Sequence, residues 1–419
     1  MNLKAHFIGC LLLLTALPTL AGDTNSLTLQ QVMAASRADN ATLRALAQKA
    51  GAMGERSRQA GSLANPMLTY RGMNSTSGGQ WPNSDEKRLE IEQAFPWPGK
   101  RGLTQVMAEK EADAMQSEAR AMELDVEMLA AETFYALYAV QQSLAITRSE
   151  EALLRRIEDL ATTRYATGAV GQQDVLKAQT EITLLHQKQI DLEVREFMLK
   201  TKLNTLMNRP VTAPMGQVVA PLQKGSIDDA ERIAAQALAR RPEIKLAQAR
   251  IERAQAGQAF MKKEGLPDYK VGLEYRSMPA DDQVMFMVGI ELPLWRSKIG
   301  AGVREAGLTL QSEQAAREAA ERQVAREVQD ALTQVRAAQR TLTLTRKELI
   351  PQAELRFAAS EAAYRGGGKG DFMDLLESQR FLLNARVMAV TAEGELGMQW
   401  VRLARAAGLG VLEIREEVK

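Results

Sequence analysis

The chain has 419 residues, 45% of them hydrophobic and 25% charged, which suits a folded protein of two or three ordinary domains. Its 53 Lys and Arg nearly cancel its 52 Asp and Glu, so no global charge points to nucleic acid or to an anionic surface. One cysteine and two histidines exclude a disulfide framework and leave almost nothing for thiol, Ser-His or Cys/His metal chemistry.

Residues 1–21 read as an export signal: Lys4 is basic, Phe7 to Leu14 is apolar, Pro18 breaks the run, and Thr19-Leu20-Ala21 ends on small residues. Cleavage after Ala21 removes His6 and Cys10 and leaves His186 as the lone histidine. Phe7-Ile8-Gly9-Cys10 is a faint lipoprotein box, but Cys10 precedes most of the apolar run, which argues against lipidation. No later window reaches the roughly 18 apolar residues of a spanning helix, so membrane entry would require a β-barrel.

The rest of the chain repeats once, at an offset of about 200 residues. Val32 to Leu46 matches Ile233 to Ala247, both Ala-rich helices with a break in the middle, and Asn65-Pro66-Met67-Leu68 matches Leu266-Pro267-Asp268-Tyr269. Gln93 to Trp97 matches Ile290 to Leu294. Tyr165, Gly168 and Asp174-Val175-Leu176 match Tyr364, Gly368 and Asp374-Leu375-Leu376. The first repeat is placed at 22–210, a linker at 211–225, the second repeat at 226–409 and a tail at 410–419.

Each repeat reads helix, strand, strand, very long helix, turn, helix. The first helices span about Leu27–Gly61 and Ile227–Glu264. Period-two alternation marks strands at Arg88–Phe95 and Val284–Leu292, each pairing with the strand before it, Pro66–Met73 or Pro267–Arg276. Gly102 to Arg164 holds no proline and would form a helix on the order of 95 Å long. Its counterpart, Ser297 to Tyr364, is expected to bend at Pro351. The short helices Gln172–Met207 and Asp371–Ala407 match that length only when stacked end to end with the first helix of the repeat. Four strands with open edges cannot sit in lipid, but three copies would close a twelve-stranded ring.

The doubled set of markers resembles the TolC family of outer-membrane efflux proteins. Carrying it are Asn65-Pro66 and Pro267 at strand entry, Phe95-Pro96-Trp97-Pro98-Gly99-Lys100 at strand exit, and the two Tyr…Gly…Asp-[Val/Leu]-Leu turns with Ala178-Gln179 and Ser378-Gln379. The resemblance implies a mainly α fold with a small β part. It implies a homotrimer with an outer-membrane β-barrel and a periplasmic α-barrel, joined by a periplasmic adaptor (membrane fusion) protein to an inner-membrane pump of the RND type. It implies a passive duct, not an enzyme, with no cofactor, no resident metal and no nucleic-acid partner.

The resemblance also assigns roles. Asp374 and Glu377, with Asp174, would ring the periplasmic aperture, although Lys177 departs from the acidic pattern in the first repeat. Helix capping is the alternative for both aspartates. Tyr165, Gly168, Tyr364, Gly367 and Gly368 would form the tip, the tyrosines either bonding across it or packing, the glycines from Gly366 to Gly368 allowing positive φ. Residues 169–172 and 367–370 would meet the adaptor. Pro96, Pro98, Gly99 and Pro293 would end the sheet. Tyr70, Trp81, Trp97, Tyr275 and Trp295 are candidates for an interfacial girdle or for ordinary core. Phe95 to Arg101 resembles the branch that serves heavy-metal pumps. Among the 19 methionines, Met73, Met278, Met285 and Met287 suit soft-metal traffic or simple packing. Organic compounds or small secreted peptides remain the competing cargo, through a multidrug or type I secretion duct. A periplasmic coiled-coil adaptor is the other alternative, disfavoured because only two hairpins are present.

Overall fold

A computed structural model describes residues 26–73, 86–219, 230–278, 281–366 and 371–413. The first repeat runs β1 (Ser26–Thr28), α1 (Leu29–Asp39), α2 (Ala41–Ala60), β2 (Met67–Met73), β3 (Glu86–Phe95), α3 (Lys100–Ala166) and α4 (Gln172–Leu206). After β4 (Gln217–Val219), the second runs α5 (Ala230–Arg240), α6 (Pro242–Lys263), β5 (Asp268–Ser277), β6 (Asp282–Glu291), α7 (Arg296–Leu344), α8 (Ile350–Arg365) and α9 (Phe372–Ala406). β4 pairs in parallel with β1 and lies in the stretch read as a linker.

The break in each first helix has a local cause. Asn40 is extended (φ −62°, ψ 121°) and its side chain accepts from the amides of Thr42 and Leu43, starting α2. Arg241 is extended as well (φ −57°, ψ 126°), because Pro242 behind it excludes the helical region. The 67 residues of α3 form one unbroken helix, about 100 Å long at the usual rise. The bend expected at Pro351 takes another form: residues Thr345–Leu349 widen into a π-helical turn. That turn makes room for the proline ring, which would press on the carbonyl four residues back, and the rod continues into α8.

The short helices α4 and α9 each have 35 residues and stack on the first helices at these breaks. Asn40 Nδ2 donates to the carbonyl of Leu206 at the end of α4, 3.1 Å away. α3 packs against α2 and α4 of its own repeat and against α6 and α9 of the other. Two apolar clusters hold the middle of the rods. One gathers Phe134, Tyr135, Leu137 and Leu203, the other Val328, Leu332, Trp400 and Leu403. A third, at the turns, joins Leu154, Ile157, Ile182, Leu375 and Leu376.

The two hairpins merge into one antiparallel sheet of order β2-β3-β5-β6, through pairing of β3 with β5 from Lys87↔Ser277 to Phe95↔Tyr269. β2 and β6 are its free edges. Among the described residues, no helix is long and apolar enough to cross a membrane.

Candidate functional site

Register sorts the sheet into two faces, since residues directly opposite on antiparallel strands share a side. One face carries the cross-strand rows Leu68–Ile91–Leu273–Phe286 and Tyr70–Leu89–Tyr275–Val284, followed by Phe95–Tyr269–Ile290. On β6 this face is open, with Val284, Phe286, Val288 and Ile290 between 61% and 70% exposed. Tyr70, Tyr275 and Trp295 are exposed and Trp97 is half-buried, so these aromatics are not core; Trp81 lies outside the described residues. Such a face suits hydrocarbon.

The other face is charged. Its rows read Met67–Glu92–Gly272–Met287, then Thr69–Glu90–Glu274–Met285, then Arg71–Arg88–Arg276–Gln283. Three arginines side by side would repel, and carboxylates from the neighbouring rows offset them. Arg71 meets Glu90 at 3.2 Å, Arg88 meets Glu86 at 2.7 Å, and Arg276 meets Glu86 at 3.1 Å and Glu274 at 3.2 Å. Such a face suits water.

Sheet and rods join at a buried lysine. β3 stops at Phe95 before Pro96, and β6 stops at Glu291 before Pro293. Gly99, which begins α3, takes φ +92°, a left-handed conformation that a side chain resists. Next to it, Lys100 is 4% exposed, and its Nζ lies 3.0 Å from Asp268 Oδ1 and 3.3 Å from Glu264 Oε1. The same ammonium donates to the carbonyl of Leu266 at 3.2 Å, and the amide of Trp97 donates to Asp268 Oδ1 at 2.6 Å. Lys263 Nζ donates to the carbonyl of Pro98 at 3.3 Å.

At the far end of the rods, α3 turns into α4 through Gly168 at φ +73°. Neither sequence-derived aspartate is a cap: Gly171 starts α4 without a side-chain bond, and Asp371 caps α9 by accepting from the amide of Met373 at 3.0 Å. Asp174 instead faces Lys177 at 3.7 Å. Asp374 and Glu377 are exposed on α9, with Glu377 3.8 Å from Arg356. The tyrosines separate: Tyr165 is 47% exposed, while Tyr364 is 1% exposed. Arg164 lies 4.5 Å above the Tyr364 ring and donates to the Tyr364 carbonyl, and the Phe372 ring packs against it with centroids 5.2 Å apart, tilted by 50°. Burial, then the charge of Asp174, raises the pKa of the Tyr364 hydroxyl, which Arg164 partly offsets. Gly366 keeps a right-handed φ of −70°, and Gly367 and Gly368 lie outside the described residues.

Residues 233–409 match the sequence profile of the family described as outer membrane efflux protein. That match covers the second repeat. The fold of the chain is also that of solved membrane proteins. The outer-membrane channel OprN superposes with a TM-score of 0.79 at 17% identity, covering 91% of this chain and 90% of that one. VceC of Vibrio cholerae gives 0.77 at 18% identity, covering 91% and 96%. CusC, described for its folding and transmembrane channel formation, gives 0.79 at 16% identity, covering 91% and 92%. No curated protein matches it by sequence.

OprN and CusC are described as channels, and among the described residues no His/Cys/Asp/Glu group could hold a metal ion. Sequence reasoning missed three parts of this protein: the Lys100–Asp268–Glu264 knot, Arg164 over Tyr364, and the arginine row. Lys100 and Asp268 were read only as strand-exit and strand-entry neighbours of proline. Their meeting depends on the β3–β5 register, which no local pattern encodes.

Proposed function

We propose that the chain is the passive exit duct of a tripartite efflux system and that its cargo is heavy-metal cations. Three copies close a twelve-stranded barrel in the outer membrane, and their rods continue it as a tube across the periplasm. A periplasmic adaptor, meeting the tip around residues 169–172, joins the tube to an inner-membrane pump of the RND type. One observation carries the reading: a four-stranded sheet with an apolar face, a charged face and two unpaired edges, mounted on helices of about 100 Å. An apolar face next to open edges is stable in lipid only when copies close the ring.

Threefold symmetry gathers three copies of Asp374 and Glu377 at the tip, with Asp174 behind them, and like charges so placed favour cations. The exits at Pro96, Pro98, Gly99 and Pro293 mark where sheet gives way to tube. Residues 1–21 act as the export signal, and the rods of 22–210 and 226–409 contribute equal halves of each protomer's wall.

Deletion and complementation test this reading, with a panel of copper, silver, zinc, cobalt and cadmium salts beside bile salts, dyes and antibiotics. Sensitivity confined to metals, restored by the wild-type chain, is the expected result. Sensitivity to dyes and antibiotics instead would retire the metal cargo and leave a multidrug duct. A purified chain that is a soluble monomer without conductance would retire the duct.

A further inference from the structure

The sheet places sulfur with a bias that the duct reading does not require. Its described methionines are Met67 and Met73 on β2 and Met285 and Met287 on β6, with none on β3 or β5. All four lie on the charged face, where Met67 is opposite Glu92, Met73 opposite Glu86 and Met285 opposite Glu274. Met287 is opposite Gly272 and leans over it, its methyl 3.2 Å from where a Cβ would stand. β2 and β6 are the two free edges.

We propose that these methionines form thioether sites for soft monovalent cations, Cu(I) or Ag(I), on the lumen side of each boundary between copies. Closing the ring sets β6 of one copy against β2 of the next, and the alternating strand directions make that pairing antiparallel. Sulfurs from two chains then share one seam. Thioethers are neutral, soft ligands that select such ions over hard divalent cations. Glu92 and Glu274 supply attraction in the adjacent positions. Neutral ligands hold an ion weakly, as conduction requires, because a tight site would stop the flow. Methionine also fills irregular apolar gaps. That use does not fit here, since Met67 and Met73 are 63% and 58% exposed and their cross-strand partners are carboxylates.

The inference rests on the duct reading but not on metal as its natural cargo. Its test is silver block of single-channel current in planar bilayers, in potassium nitrate so that silver stays dissolved. Cys10, the one cysteine in the sequence, leaves with the export signal, so the mature channel carries no competing thiol. Silver is expected to reduce the current reversibly. M285L/M287L and M67L/M73L, which conserve volume, should each raise the half-blocking concentration at least about tenfold, the difference made by losing one good ligand. Current without silver should not change, and zinc should act equally on all variants. A channel blocked equally by silver in wild type and in the fourfold leucine variant, or not blocked at all, overturns the thioether sites and leaves the duct intact. A protein that forms no channel overturns both, since no seam would exist.

Discussion

Arg241 donates from Nη1 to the carbonyl of Ala406, 3.1 Å away, closing the joint where α9 ends on the break between α5 and α6. The first repeat makes the same joint with a different residue, Asn40 to Leu206. Arg241 also meets Glu243 at 2.9 Å and Glu327 at 2.8 Å. Arg241→Ala would orphan a buried carbonyl, take the cation from Glu327 and leave Glu243 to Arg405 alone, and should cost about 2–4 kcal/mol. Asn40→Ala loses a neutral cap and its carbonyl contact and should cost about 1–2 kcal/mol. Chemical denaturation of the two variants side by side checks the order. A smaller loss for Arg241→Ala would mean the joint is held by apolar packing alone.

This joint also shows what could be read in advance. Both breaks were legible because Pro242 and the capping Asn40 are local signals, as were the lengths of the rods, which proline and glycine punctuate. The residues that close the joints were not, because Leu206 and Ala406 lie some 165 positions away from their partners. The strands were legible from alternation, but not the β3–β5 pairing that makes one sheet of two hairpins. The faces, and with them the methionine and arginine rows, follow from that register. At the tip, aspartate after a glycine-rich turn suggested capping. Asp371, three residues before Asp374, holds that position, and sequence alone did not separate them.

The waist of the rods should weaken in acid. Arg405 joins Glu243 at 2.5 Å and Asp125 at 2.6 Å. Burial pushes the Glu243 carboxyl up, but the bond and charge of Arg405, with Arg241 behind, hold it below the ordinary 4.5. A depressed carboxyl contributes stability that is complete above its unfolded value and is lost as pH falls below it. Glu151 adds to the effect, since bonds from Arg155, His186 and Gln189 bring it down to about 2. Melting temperature should therefore fall from about pH 4.5 downward, and Glu243→Gln should flatten part of that slope while lowering the neutral-pH value. An unchanged slope in the variant would place the acid sensitivity elsewhere.

Lys100 makes a further prediction at the junction of sheet and rods. Lys100→Met would leave Asp268 and Glu264, both partly exposed, without their shared cation, at about 1–3 kcal/mol per protomer. Lys100→Arg should retain most of the stability. Because the knot ties α3 to the loop entering β5, the expected readout is a lower temperature at which the heated trimer dissociates in detergent, with the rods still helical by circular dichroism. Unchanged dissociation in Lys100→Met would show that Gly99 and the prolines alone hold the junction.

The tip separates two ways in which Tyr364 could act. A hydroxyl bonded across the aperture would make the phenol essential. Yet the Tyr364 hydroxyl is buried without a hydrogen-bond partner, while its ring and carbonyl are both engaged by Arg164. A buried unpaired hydroxyl costs stability, so Tyr364→Phe should be neutral or stabilising by up to about 1 kcal/mol and should leave conductance unchanged. Arg164→Ala removes the cation over the ring and the donor to the carbonyl, freeing the end of α8 from α3. Its single-channel conductance should rise. If Tyr364→Phe opens the channel instead, the hydroxyl bonds to a neighbouring copy in the trimer, and the hold on the tip is between protomers and not within one.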